Sequence, residues 1–202
     1  MAKLEVPATT RSDAAAIAAK FTVSNQTEFR GELSLTVNRE QFRDLAAFCK
    51  NQLGYTYLID ISSVDHAGVE PRFEIVYEIQ NFERGDHLRL KYAVSEDDLT
   101  APSVVDLWAT ADWHEREIYD MMGIDFPEHP DVKEYGHVRR ILMWDGYPFF
   151  PLRKEFPLGG LPSEMPDVAF SDQAPLAGGP FVTSPSTGTS QEREPRSRAE
   201  PL

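Results

Sequence analysis

Residues 72–80 read RFEIVYEIQ, and this alternation constrains the fold more than any other stretch. Phe73, Ile75, Tyr77 and Ile79 fall on one side of an extended chain, with Glu74, Glu78 and Gln80 on the other. A strand of that kind has one packed face and one wetted face, so its sheet wants helices on one side. Residues 55–64 and 87–94 are further strand candidates. Residues 28–37 alternate Phe29, Gly31, Leu33, Leu35 and Val37 against polar neighbours and read as one more half-buried strand.

Helical segments lie between these strands. Residues 12–20 are Ala-rich and helix-prone. Asn38 offers a capping oxygen with Gln41 three positions on, and Phe42, Leu45, Ala46, Cys49 and Leu53 then recur at helical spacing before Gly54 stops the run. A further helix is expected over about residues 113–122. Asp112 is its candidate cap, Glu115 the reciprocal capping-box partner, and Gly123-Ile124 its stop. Trp113, Glu117, Asp120 and Met121 share one face of that helix, and Ile118, Tyr119 and Met122 an adjoining one. Arg116 stands one turn before Asp120 and can pair with it locally. Apolar side chains on two sides suggest that the domain covers one face and a partner the other.

The expected fold class is α+β: a two-layer domain with a mixed β-sheet covered by helices, followed by an extended C-terminal arm and a disordered tail. The domain would occupy residues 1–126. Twelve of the 15 prolines lie at Pro127 or beyond, so residues 127–162 read as an extended, partner-binding arm. That arm also holds Tyr135, Trp144, Tyr147, Phe149, Phe150 and Phe156, which a solvated loop would not favour. Residues 163–202 are of low complexity and are expected to be mostly disordered.

Composition excludes several functions. With 20 basic against 33 acidic residues the net charge is −13, which disfavours a nucleic-acid partner. No apolar run approaches the roughly 20 residues of a membrane helix, and residues 1–21 resemble neither a secretory nor an organelle signal. The expectation is a cytosolic chain that touches a membrane only peripherally. Cys49 is the one cysteine, too few for an iron–sulfur cluster, and no phosphate-binding glycine loop is present. His114, Glu115, Glu117, Asp120, His129 and His137 are close in sequence, yet a zincin helix would need its second histidine where Ile118 stands. Glu115 and Glu117 point to different helix faces and do not converge on a substrate. No metal ligand, cofactor-binding or catalytic residue is therefore expected.

Four ordered blocks then match a known family. Glu115-Arg116-Glu117-Ile118-Tyr119-Asp120-Met121-Met122-Gly123-Ile124, His129-Pro130-Asp131, Arg139-Arg140-Ile141-Leu142 and Pro151-Leu152-Arg153-Lys154-Glu155-Phe156-Pro157-Leu158 resemble the signature of the C (30 kDa) subunit of respiratory complex I, the proton-translocating NADH:quinone oxidoreductase. Val105-Asp106-Leu107-Trp108 fits as well. Two features depart from the family pattern: residues 132–138 are inserted between the second and third blocks, and Phe150 stands where a histidine is usual.

The resemblance implies a non-catalytic subunit of the peripheral arm, on the cytoplasmic side of a bacterial inner membrane. The complex uses NADH, FMN, iron–sulfur clusters and quinone, and this chain would bind none of them. Its partners would be the hydrogenase-like large subunit (D) and the cluster-bearing quinone-module subunits (B and I). Glu115, Arg116, Glu117, Tyr119, Asp120, His129, Arg139, Arg140, Arg153 and Lys154 are the signature positions expected to serve the interface. The arginines suit carboxylate pairing across a contact, beside aromatic side chains of the kind enriched at interfaces. Related scaffolds in membrane-bound hydrogenases and in ferredoxin- or F420-linked complexes, a free-standing carboxylate enzyme, and an adaptor outside bioenergetics are the alternatives.

Overall fold

The structure, a computed structural model, describes residues 5–156. Ten elements follow in order: α1 (Ala8–Ala18), β1 (Val23–Phe29), β2 (Glu32–Val37), a single 3-10 turn (Arg39–Gln41), α2 (Phe42–Asn51), β3 (Tyr57–Asp65), β4 (Phe73–Asn81), β5 (Asp86–Val94), α3 (Ala111–Met122) and α4 (Pro130–Tyr135). The strands form one sheet in the order β1-β2-β5-β4-β3. Among the strands of the described residues, only the β2–β5 pair is parallel. The fold is thus α+β with a mixed five-stranded sheet, as the alternation requires.

The packed face forms as the period of two dictates. Phe73, Ile75, Tyr77 and Ile79 of β4 stand opposite Val94, Tyr92, Leu90 and Leu88 of β5, and all eight are buried. Leu33, Leu35 and Val37 of β2 continue this layer. α2 covers it with Phe42, Leu45, Ala46 and Cys49, and the Phe42 ring lies 4.3 Å from Tyr77 and 4.6 Å from Tyr92. The other face is polar and internally matched. Lys91 pairs with Glu74 at 3.0 Å, His87 with Glu78 at 2.7 Å, and Arg89 bridges Glu78 and Glu32.

α1 is tied to the β4–β5 hairpin by charge. Asp13 accepts from the Tyr55 hydroxyl at 3.1 Å and pairs with Arg84, which also meets Asp86 at 2.9 Å. Gly54, at φ 78°, ends the α2 region in the left-handed conformation expected of it.

Four expectations need correction. Residues 28–37 are not one strand: the chain reverses at Arg30 (φ 51°) and Gly31 (φ 84°), and Phe29 pairs with Glu32 across a two-residue turn. Both turn residues adopt positive φ, which the right-handed twist of a tight hairpin demands. Gln41 does not complete a capping box. Asn38 Oδ1 accepts the Glu40 N–H at 2.9 Å, whereas Gln41 Oε1 accepts from Thr22 N–H at 3.0 Å.

Neither do Asp112 and Glu115 cap α3. That helix begins at Ala111 after Thr110, and Glu115 turns inward to Val104. Lastly, residues 130–135 are helical despite Pro130, because a proline at the first helical position loses no hydrogen bond.

The chain through Phe156 belongs to the same compact unit as the sheet. Residues 127–156 therefore lie on their own domain. The rest of the expected arm, 157–162, and the expected tail, 163–202, fall outside the described residues.

Candidate functional site

α3 owes its position to loop 99–108 on one side and the C-terminal segment on the other. Its own C-terminus is closed by Gly123 at φ 72°, whose N–H bonds Tyr119 O at 2.9 Å. A Cβ at Gly123 would stand 2.6 Å from the Phe150 ring and 2.7 Å from Arg153 Nη2, so the returning chain passes directly over this residue.

Three buried aspartates hold that returning chain. Asp120 Oδ2 accepts the N–H groups of Ile141 (3.0 Å), Leu142 (2.6 Å) and Met143 (3.0 Å), while Oδ1 accepts from Arg140 at 2.9 Å. The Arg140 side chain is itself almost enclosed, reaches the carbonyls of Asp120 and Phe149 (both 3.2 Å), and lies 5.0 Å from the Phe150 ring centre. Asp131 receives a two-pronged contact from Arg139, with Nη2 at 2.9 Å and Nε at 3.1 Å, and the Arg139 N–H at 3.2 Å. Asp65 takes Arg72 at 2.8 and 2.9 Å and the Lys154 N–H at 2.8 Å. Arg72 extends this knot to Glu96 at 2.7 Å and to Glu155.

Electrostatics follows from these partners. The Arg72 guanidinium holds the Asp65 carboxyl down to about 2, against the cost of its desolvation. Hydrogen bonds from Arg139 outweigh burial at Asp131 and hold its carboxyl below the usual range, burial being the largest single influence there. Glu115 is the opposite case. Its side chain is fully buried, Oε1 accepts the Val104 N–H at 2.7 Å, and burial pushes its carboxyl up to about 8.

The local pair open to Arg116 and Asp120 does not form. Asp120 is already filled by Arg140 and three amides, so Arg116 turns to the carbonyls of Arg139 (3.2 Å) and Arg140 (3.4 Å) and approaches Asp131 at 3.5 Å. Arg153 donates to Met122 O at 2.7 Å and stacks on Phe150, and the adjacent Leu152 N–H bonds Met121 O at 3.1 Å. Tyr119 meets Phe150 edge-on at 6.4 Å. Phe150 thus serves as a packing residue. Glu117 and Lys154 project outward and are exposed.

His129 is fully buried and caps α4, its Nδ1 accepting the Asp131 N–H at 3.1 Å. The ring proton therefore sits on Nε2, which points to Asp112 Oδ1 at 3.1 Å and Asp112 O at 3.3 Å. Ligand atoms of Asp112, His129 and Asp131 lie within 4.8 Å of one another. Both Asp131 oxygens already hold Arg139, however, and one His129 nitrogen holds a backbone amide. A cation would have to displace a guanidinium, so the donor set suits a hydrogen-bonded corner better than a metal centre.

Known proteins resemble this chain in sequence and in fold. A family model described as respiratory-chain NADH dehydrogenase, 30 kDa subunit, matches residues 35–161. The chain belongs to that family. The NADH-quinone oxidoreductase C subunit of Geotalea uraniireducens is 44% identical over 133 residues, 66% of this chain and 77% of the relative. The second C-type subunit of the Rhizobium meliloti NADH-quinone oxidoreductase is 37% identical over 164 residues, 74% and 86% respectively. Among solved structures, the trypsin-resistant fragment (1–134) of Nqo5 superposes with a TM-score of 0.55 at 30% identity, covering 61% of this chain and 98% of the fragment. A chain of the membrane-bound sulfane sulfur reductase, an archaeal respiratory membrane complex, shares the fold with a TM-score of 0.61 at 24% identity, covering 74% of this chain and 86% of that one.

Within this family fold, most signature residues turn inward: Arg116, Asp120, His129, Arg140 and Arg153 all bond the chain's own backbone or side chains. Sequence reasoning missed Asp65, Arg72 and Asp131 as members of this system. A signal existed for Asp65, which shares strand parity with the buried Ile61 and so placed a carboxylate on the packed side.

Two outcomes are expected. Asp120→Ala strands three amides and a buried arginine, and should lower unfolding free energy by about 3–5 kcal/mol in urea titrations. Asp65, whose carboxyl is depressed in the fold, contributes stability above its ordinary value of 3.8 that disappears as pH falls through about 2. The Tm gap between wild type and Asp65→Asn, wide near neutral pH, should accordingly close across that acid window.

Proposed function

We propose that this chain is a cofactor-free structural subunit of the peripheral arm of a proton-translocating NADH:quinone oxidoreductase. In this reading it supports the quinone-reducing module from the cytoplasmic side of the membrane and takes no direct part in electron transfer. Its neighbours would be the hydrogenase-like large subunit (D) and the two cluster-bearing subunits (B and I). Support comes from the family, from relatives named as parts of NADH-quinone oxidoreductase, and from a donor set unsuited to a metal. No helix among the described residues is long and apolar enough to cross a membrane, so attachment would run through partner subunits.

One observation carries the interface reading. The segment after α4 is held from within at Arg139, Ile141, Leu142, Met143, Leu152 and Lys154, yet it presents Leu142 (58% exposed), Trp144 (36%), Phe149 (39%) and Leu152 (55%) to the outside. Trp144, Tyr147 and Phe149 form a ladder of rings with centres 4.5 and 5.6 Å apart, and on α3 Trp113 is 60% exposed. Clusters of large apolar side chains on a surface mark contact sites. Each such side chain gains about 1.5–3 kcal/mol on leaving water, and a rigidly held backbone spares a partner the entropy of ordering it.

The test must leave the fold intact. Removing residues 127–202 would strand Asp120 and Asp65 and so mix folding with assembly. The double variant Leu142→Asp, Trp144→Asp alters only outward side chains. The isolated variant should melt within a few degrees of wild type. In native electrophoresis of membranes the assembled complex should be lost, with NADH:quinone activity down by about tenfold or more. Normal assembly and activity would overturn the interface reading.

A further inference from the structure

Glu115 lies on the family's signature helix, but its geometry has no part in holding the C-terminal segment. The carboxyl is wholly enclosed: Oε1 accepts the Val104 N–H at 2.7 Å, and among the described residues Oε2 is buried without a hydrogen-bond partner. A buried carboxylate in such a place would lack both water and a counter-ion. The groups that face it are acidic or neutral, and of the neutral ones the Ser103 side chain favours the charged form, less than burial disfavours it. Asp112 comes from its own helix and Glu128 from the following segment, while Tyr77 and Tyr92 rise from the sheet with hydroxyls 3.1 Å apart. The nearby cations of the α2 region are engaged elsewhere: Arg39 with the Asp98 carboxylate, Asp98 O and Thr100 O, Arg43 with Ser103 O and the Asp106 carboxylate, and Lys50 with Leu107 O.

What covers Glu115 is loop 99–108, which has no helix or strand of its own. It is pinned at intervals by Ala101 N–H to Asp125 O at 2.8 Å, by Arg43, and by Trp108 Nε1 to Tyr55 O at 3.3 Å. Val104, between these pins, depends on Glu115.

We propose that Glu115 is a proton-operated latch: the neutral carboxyl keeps loop 99–108 closed on α3, and ionisation opens that loop. Opening admits water to the charge; it also exposes Ala101, Val104 and Trp108, which the closed loop buries, so the carboxyl's ionisation must offset that loss. The direction of the pH dependence follows from burial, which raises the carboxyl from 4.5 to about 8 in the folded chain. A group with a raised value stabilises the fold fully below its ordinary value, and that stabilisation is lost as pH rises through the folded one. The latch is therefore held most firmly in acid, loosens progressively between pH 4.5 and about 8, and is loosest above that.

The experiment uses the full chain and two NMR readouts. In wild type, the Glu115 carboxyl carbon should titrate with a midpoint near 8. Val104 amide protection, corrected for intrinsic exchange, should fall by up to about tenfold per pH unit between the ordinary value of 4.5 and that midpoint, and level off above it. In Glu115→Gln, a neutral isostere that still accepts the Val104 N–H, protection should stay flat over the same range. A midpoint in the ordinary carboxylate range would overturn the proposal, even if the variant failed to fold. So would a fall in Val104 protection that persists in the glutamine variant.

Discussion

Three consecutive amides, those of Ile141, Leu142 and Met143, converge on one oxygen of Asp120, and Arg140 closes the other. The segment they belong to has no ladder or helix in which to bury its donors. Without that carboxylate, the amides of Ile141, Leu142 and Met143 would have water as their partner, and α3 would keep hydrogen bonds to this part of the chain only through Arg116, Arg140 at Asp120 O, and residues 152 and 153. With it, the path runs on unbroken to the later contacts: Leu152 on Met121, Arg153 on Met122, and Lys154 on Asp65. The cost of placing a charge inside is offset by a guanidinium and by amides that each need an acceptor.

This arrangement separates two tasks that a proline-rich segment usually cannot combine. The backbone and the arginines face inward and fix the path. The apolar side chains of Leu142, Trp144, Phe149 and Leu152 are left facing outward on a path already fixed. Gly123 makes the close approach possible, since any side chain there would strike Phe150 and Arg153. A family whose members are named as parts of a larger enzyme fits such a surface, and the interface proposed here uses side chains that internal packing leaves free.

The sheet was legible because its alternation is nearly uninterrupted: residues 72–80 dictated one packed face, and Phe73, Ile75, Tyr77 and Ile79 are all buried. The β1–β2 hairpin was not, because the alternation of Phe29, Gly31 and Leu33 runs on through the turn and Arg-Gly lacks the usual turn signature. Near α3 the chemistry was visible and its direction was not. Arg116, Arg139 and Arg140 looked like groups for a partner's carboxylates. Their partners proved to be Asp131, Asp120 and backbone carbonyls up to 24 residues away in the chain, a pairing that no local period encodes. His129 was identified as a signature residue, while its role as a helix cap depends on α4, a helix that Pro130 argued against and in fact begins.

Hydrogen exchange of the isolated full-length chain, read residue by residue over 139–156, tests the central claim most directly. If buried aspartates hold this segment from within, the amides of Ile141, Leu142, Met143, Leu152 and Lys154 are protected without any partner present. Neighbouring amides that lack an acceptor exchange fast. Exchange of all five at the rate of an unstructured peptide would contradict the account, and would mean that the segment takes its path only when a partner imposes it.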